Sequence, residues 1–394
     1  MWIPKSEEDI EQAIAAGTLI ETLTFDAKAL PGKSKDIAKD IAAMTVDGGV
    51  LLYGVAEDEN KRLTQLAPFP LAGPAERIDQ IARSSISEPP TYQIHPLQSR
   101  RDPALGYLVV VVPASPRAPH MVTVDKELRY YGRSATGNTI LGEGEIARLY
   151  QRRQHWEQDR AALIEKELQN SPVPPHEDFA YLYLVARPVA SDDEFLERVS
   201  AGTRLEDTLT GLIKAASAPT VFPNSYSPDF GVRYTWDRTA NGFITGMAHN
   251  PRDKDQRRPD GILDLKVDFD GTVHLFSGRA GARTRRGLLV LELLIAGLTA
   301  RFIKFAGALY AAADYYGMVD VGIAIIGLRG GISAHLAQGM YSDDVPIDFN
   351  EYRRHGRFLA PDLDAHPRKA AGDLTMRFIR ATTRDSYDPF NTKR

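Results

Sequence analysis

The chain has 394 residues, too many for one hydrophobic core, so two or three domains are expected. With 25 % charged residues and a net charge of −4, the composition is that of an ordinary globular protein, and no global polycation advertises nucleic acid, although a local basic strip would suffice. The absence of cysteine excludes disulfide frameworks, thiolate zinc sites and cysteine nucleophiles.

Ser6 followed by Glu7, Glu8 and Asp9 predicts a capped helix start, with acids at the positive end of the dipole, and Gly17 a stop. These acids stand where a signal peptide needs a basic start and an apolar centre, so a cytoplasmic protein of bacterial type with no membrane partner is expected. Leu19 to Ala29 alternates as a half-buried strand does. Ser34 caps a helix through Met44, with Ile37, Ala38, Ile41 and Ala42 on one face. Asp47-Gly48-Gly49 reverses the chain into a continuous apolar strand, Val50 to Val55, too apolar to have one face in water. A polar hairpin, Ala56 to Lys61, and a helix, Ala75 to Ile86, follow. Strands are expected at Tyr92 to Leu97, Tyr107 to Val112 and Glu127 to Tyr131. A long polar helix from Ile146 to about Leu168 reads as a connector, and three prolines between Ser171 and Pro175 mark a boundary. The expected division is 1–152, a connector over 153–175, and a second α+β domain over 176–394.

In the second half, strands are expected at Phe179 to Val185, Gly231 to Trp236, Ile244 to Ala248, Ile262 to Phe269, Thr272 to Ser277 and Val319 to Leu328. Asp270-Gly271 gives a strong hairpin signal. Helices are expected at Asp192 to Ser200, Leu205 to Ala216, Thr284 to about Tyr315 and Leu374 to Thr383. The apolar region Leu288 to Ala313 is interrupted by Glu292, Arg301 and Lys304 and reads as a buried helix rather than a bilayer span. The basic run Arg283 to Arg286 would open that helix at the wrong end of its dipole, which suggests a partner. The fold class is mixed α+β.

The chemistry-bearing residues gather at the ends of the first two strands: Glu21, Asp26 and Lys28, then Glu57 and Asp58. Acids so placed can hold a hard divalent cation or can simply be solvated. Glu21 and Asp26, five apart, point to opposite faces of a straight strand and converge only through a bend or a bulge. Lys33, Lys35 and Lys39 could track a phosphate backbone, although Asp36 and Asp40 alternate with them as in a solvated helix. Arg129, Tyr131 and Arg133 alternate along one strand, where an aromatic between two arginines could stack a base. His120 is a general base, a donor to phosphate or a structural histidine.

Several separated pieces then resemble the Schlafen-type AlbA domain. They are Glu21, four residues, then Asp26-Ala-Lys28; Ile41-Ala42-Ala43 before Gly48-Gly49; Gly54-Val55 before Glu57-Asp58; Pro119-His120; and Tyr131-Gly132-Arg133-Ser134. The resemblance covers roughly residues 15 to 150. Asp26 stands where the family has glutamate, and the asparagine usual before Gly-Gly is missing. The resemblance implies a sheet with flanking helices and a nucleic-acid partner, RNA favoured over DNA. In catalytic Schlafens it implies Mg²⁺- or Mn²⁺-dependent cleavage of structured RNA such as tRNA by three carboxylates, here Glu21, Asp26 and Glu57 or Asp58, with Lys28 beside them. Stress response or phage defence is the implied setting, and a homodimer the simplest equivalent of the paired lobes of mammalian members. Two other readings stand beside it: a non-catalytic nucleic-acid-binding regulator and a protein-interaction module.

Overall fold

The computed structural model describes residues 2–60, 62–124, 128–134, 137–174, 176–189, 191, 194–200, 204–223, 235–246, 259–338, 345–384 and 387–391. The chain forms two compact units, Met1–Glu157 and Gln158–Arg394.

The first unit opens with α1 (Glu7–Ala15). Ser6 Oγ accepts from the Asp9 amide and the Asp9 carboxylate accepts from the Ser6 amide, a reciprocal cap. Next come β1 (Phe25–Lys28), α2 (Ser34–Met44) and β2 (Gly49–Tyr53). β1 and β2 pair in parallel, Asp26 opposite Leu51 and Lys28 opposite Tyr53. Parallel neighbours need a crossover, and α2 supplies it. β3 (Val55–Glu57) and β4 (Leu63–Leu66) form a hairpin, followed by β5 (Phe69–Pro70), α3 (Pro74–Ser85), β6 (Gln93–Gln98) and β7 (Leu105–Val112). β7 pairs antiparallel with β2, β5 and β6. A second small sheet holds β8 (Met121–Val122), β9 (Arg129–Ser134) and β10 (Gly137–Ile140), before the long helix α4 (Glu143–Gln169). The core sets Ile37, Ile41 and Met44 of α2 and Ile78 of α3 against Leu51, Leu108 and Val110 of the main sheet.

Two expectations change here. The strand expected over Leu19 to Ala29 contracts to β1. A turn interrupts it, the Thr22 amide donating to the Phe25 carbonyl at 2.9 Å, so Glu21 lies outside the strand. The strand expected over Glu127 to Tyr131 runs on to Ser134; Glu127 itself, like Lys61 of the expected hairpin, lies outside the described residues.

The second unit comprises β11 (Phe179–Pro188), α5 (Phe195–Val199), α6 (Leu205–Ala216), β12 (Asp237–Thr239), β13 (Gly242–Gly246), β14 (Leu263–Asp268), β15 (Val273–Thr284) and β16 (Gly287–Val290). It continues with α7 (Glu292–Ala312), β17 (Met318–Ile326), β18 (Ile332–Ser333), β19 (Glu351–Leu359), α8 (Ala360–Ala365) and α9 (Pro367–Thr383). The main path of the sheet runs β12-β13-β14-β15-β11-β17-β19. β11 reads as an unbroken apolar run because both its faces are covered. Leu182 and Leu184 face the core built around α7, and Tyr181, Tyr183 and Val185 face a smaller cluster with Leu163 and Ile164 of α4. By length and composition α7 is the one helix among the described residues that could cross a membrane, but 83 % of its apolar window is buried within the protein, the place of a core helix. At the β14–β15 turn Gly271 takes φ +81° beneath the Phe195 ring, where a Cβ would lie 2.6 Å from a ring carbon, as the Asp270-Gly271 signal requires.

The helix expected from Thr284 begins only at Glu292. Arg283 to Arg286 instead form the β15–β16 hairpin, Arg283 pairing with Asp178 at 2.9 Å and Arg286 donating to the Ala337 carbonyl at 3.0 Å. The argument from an opposed helix dipole, and the partner it implied, therefore fall. β19 carries four arginines and histidines among nine residues and was not anticipated. Its charges are accommodated by position, Arg357 making a two-pronged bond to Asp320 of β17 at 2.7 and 3.0 Å. Residues 231–234 of the strand expected at Gly231 to Trp236, 247–248 of the one at Ile244 to Ala248, and 192–193 of the expected helix lie outside the described residues.

A partly buried polar contact ties α4 to the sheet of this unit. His274 of β15 meets Glu167 through Nδ1 at 2.8 Å and Asp268 through Nε2 at 3.0 Å. A neutral imidazole donates from one nitrogen only, so two carboxylates select the imidazolium. Burial alone would lower its pKa; the bonds and charges of Asp268 and Glu167 outweigh it and push the value up to about 9. A group raised above its unfolded value of 6.5 contributes stability that is complete below 6.5 and is lost as pH rises through about 9. Thermal melts across that window should show a falling midpoint, and the fall should shrink in His274→Gln. Equal slopes in the two proteins would remove the imidazolium from this role.

Candidate functional site

The turn from Thr22 to Phe25 answers the geometric question posed by Glu21 and Asp26. With Glu21 off the strand, its carboxyl comes close to that of Asp26 and, when protonated, can donate to it. Asp26 is 4 % exposed on β1, and its Oδ2 receives Lys28 Nζ at 2.8 Å and Arg133 Nη1 at 3.3 Å. Lys28 also reaches Asp40 of α2 at 2.5 Å, and Asn138 of β10 donates to the other oxygen of Asp40 at 2.6 Å. Arg133 of β9 donates further to the carbonyls of Thr22 and Phe25, which pins the turn that presents Glu21. Strand, crossover helix and second sheet thus each contribute one part of a single polar cluster.

The charges settle unequally. Glu21 remains exposed to solvent, but partial desolvation on its protein-facing side, then the hydrogen bond and negative charge of Asp26, push it up to about 7. Burial would raise Asp26 too, but the bond from Glu21 and the charges of Lys28 and Arg133 hold it below the usual carboxylate range. Lys28 is raised because the charges of Asp40 and Asp26 outweigh its burial. Asp40 is raised mainly by burial. Near neutrality one carboxyl therefore holds a proton beside an ionised one, a division that suits acid–base work.

The remaining predicted residues lie elsewhere. Glu57 is exposed at the end of β3, and Asp58 turns its Oδ1 onto the amides of Asn60 and Arg62 inside the β3–β4 hairpin. Tyr131 is 6 % exposed, under Lys39 of α2 with Nζ 5.6 Å from the ring centre, so it cannot stack a base. Arg133 is buried in the cluster, and only Arg129 of the expected triplet is exposed. Lys33 is exposed before α2, and Lys35 and Lys39 are partly exposed on it. His120 is buried, with Nδ1 2.6 Å from the Glu88 carbonyl and Nε2 2.7 Å from Ser115 Oγ. The carbonyl can only accept, so Nδ1 carries the proton and Nε2 accepts from Ser115; the ring is structural.

Asp40 and Asn138 were not singled out from the sequence. Asp40 had a signal: Ile37, Asp40, Ile41 and Met44 fall three, four and seven apart on one helical face. An acid inside an apolar stripe is a buried acid, and a buried acid needs a partner. Asn138 offers no comparable pattern.

The cluster does not fit a bound Mg²⁺ or Mn²⁺ as it stands. Of the expected ligands only Glu21 and Asp26 meet, and Lys28 and Arg133 already neutralise Asp26. Among the described residues no group of three or more His, Asp or Glu side chains is placed to hold a metal ion.

Residues 21–141 match the family model described as Schlafen, AlbA_2, and the match begins at Glu21 itself. No curated protein matches the chain.

Two measurements check the site. Arg133→Ala would leave Asp26 buried with one cation fewer, and the first unit should lose about 3 kcal/mol in urea unfolding; a loss well under 1 kcal/mol would show the pair to be dispensable. The Glu21 carboxyl, followed by carbon NMR, should titrate near about 7 and move towards the ordinary range in Asp26→Asn. A midpoint that ignores Asp26 would dissolve the pair.

Proposed function

We propose that the first unit binds nucleic acid, RNA in preference to DNA. The match to the Schlafen, AlbA_2 model over the segment that builds the polar cluster carries this reading. Physical support comes from charge. Lys28 and Arg133 neutralise Asp26 and Asp40, so the acids that would repel a phosphate strand are cancelled at their source. Lys33 and Lys35 stand at the start of α2, where amide dipoles add to their positive charge.

A second reading is endonucleolytic cleavage of structured RNA such as tRNA, in a stress response or in phage defence. The observation in its favour is the Glu21–Asp26 pair beside Lys28: a protonated carboxyl next to an ionised one, with an ammonium group in reach. In that role Glu21 would hold and release the proton while Lys28 met charge on a phosphate oxygen.

Anisotropy with a fluorescent RNA hairpin and a DNA duplex of equal length tests both readings. Binding should tighten as salt falls, favour RNA, and weaken about tenfold in Lys33→Glu/Lys35→Glu. The RNA is then sized by gel, with and without Mg²⁺ or Mn²⁺. Cleavage that disappears in Glu21→Gln selects the second reading, and intact RNA with salt-dependent binding selects the first. No affinity for either polymer at low salt would overturn both and leave the protein-interaction module.

A further inference from the structure

The second unit carries a groove of about 610 Å³ between α9, the facing side of β19 and the segment 388–391. Its lining holds five cations, Arg354, Arg368, Lys369, Arg377 and Arg380, against two carboxylates, Asp373 and Asp388. In a chain of net charge −4, such an excess in one groove does not follow from bulk composition. Lys369, Asp373, Met376, Arg377 and Arg380 lie at offsets of four, seven, eight and eleven along α9, one continuous stripe. Ala370, Ala371, Leu374 and Phe378 bury the opposite face.

The cations are not used up within the fold. Arg368 is fixed in place, donating to the carbonyls of Val221 and Thr220 at 2.8 Å, and Arg354 lies beside the Tyr352 hydroxyl, which itself donates to the Leu374 carbonyl. Among the described residues, Arg354, Lys369, Arg377 and Arg380 make no ion pair. Asp373, one turn from both Lys369 and Arg377, is paired with neither, and Asp388 turns its Oδ1 onto the Phe390 amide at 2.9 Å. Guanidinium groups left unpaired beside carboxylates only a helical turn away are presented to solvent.

We infer that this groove is a second nucleic-acid site, taking the phosphodiester backbone of a single strand. The shape of the charge decides against a lone phosphate. Lys369 to Arg380 spans about 16 Å at the helical rise, the length of two or three consecutive phosphates in an extended strand. Guanidinium groups meet phosphate oxygens two at a time. The groove is open along α9, and Phe390, seated over Gly372, adds an aromatic edge to the wall against which a base can rest. The site is independent of the Glu21 cluster.

The test uses the full chain and fluorescent single-stranded oligouridine in anisotropy titrations over a salt series. Arg377→Glu/Arg380→Glu should weaken binding at least tenfold at low salt, and the log–log salt slope should become shallower by about 1.4, two contacts at about 0.7 each for a single strand. Arg377→Gln/Arg380→Gln, which only removes charge, should fall between wild type and the reversal, with an unchanged thermal midpoint. Wild-type affinity and slope in both variants would overturn the inference, as would absence of binding by the wild type. Lys33→Glu/Lys35→Glu separates this site from the first: if those changes are silent while the α9 changes are not, the reading of the first unit fails and this one stands.

Discussion

The first unit is organised by one buried carboxylate. Asp26 sits on a parallel strand with almost no access to water, where an unpaired charge would cost several kcal/mol. Three elements supply what it needs: Lys28 from its own strand, Arg133 from β9, and a hydrogen bond from Glu21 on the preceding turn. Each partner is in turn committed elsewhere. Lys28 bridges to Asp40 on α2, and Arg133 binds the carbonyls of the turn that presents Glu21. The polar cluster is therefore a clamp between strand, crossover helix and second sheet as well as a candidate site, and its removal would loosen the unit and not merely empty it.

That commitment bears on function. A metal-binding set of carboxylates needs acids that are free to turn towards a cation, and here the acids are already answered by fixed cations. What remains distinctive is the unequal sharing of protons between Glu21 and Asp26. The second unit uses its charges in the opposite way. His274, Arg357 and Asp320 are paired across the sheet, while the guanidinium groups of the stripe along α9 make no ion pair among the described residues. Pairing marks the positions that hold the fold, and the unpaired stripe marks a surface for a polyanion.

Much of the framework was legible from local pattern. Ser6 and Asp9 announced a capped helix, Asp270-Gly271 a hairpin, and the apolar runs at Val50, Tyr107 and Val319 the central strands. Failures came where local pattern and tertiary placement disagree. The strand through Leu19 was overextended because alternation does not reveal a turn that closes through one backbone bond. The helix before Glu292 was begun too early because Arg283, Arg285 and Arg286 are good helix formers that here lie in a hairpin. β19 was missed because its charge hides a strand in which Arg353 is met by Glu165 of α4 and Arg357 by Asp320 of β17. Tyr131 and Arg133, spaced like a nucleic-acid contact, turn inward because β9 packs against α2.

The order of residues along the chain was enough for the Schlafen, AlbA_2 match of the first unit, for the α+β class and for singling out Glu21, Asp26 and Lys28. These depend on spacing, which is a property of the chain alone. Which carboxylates meet was decided only by tertiary structure. Asp40 enters the cluster and Glu57 and Asp58 do not, because α2 crosses over the end of β1 while the β3–β4 hairpin ends in solvent. The same holds for the groove on α9. Its stripe can be counted from the sequence, but β19 and the segment 388–391, distant from one another along the chain, become its walls only when the sheet and helix are packed.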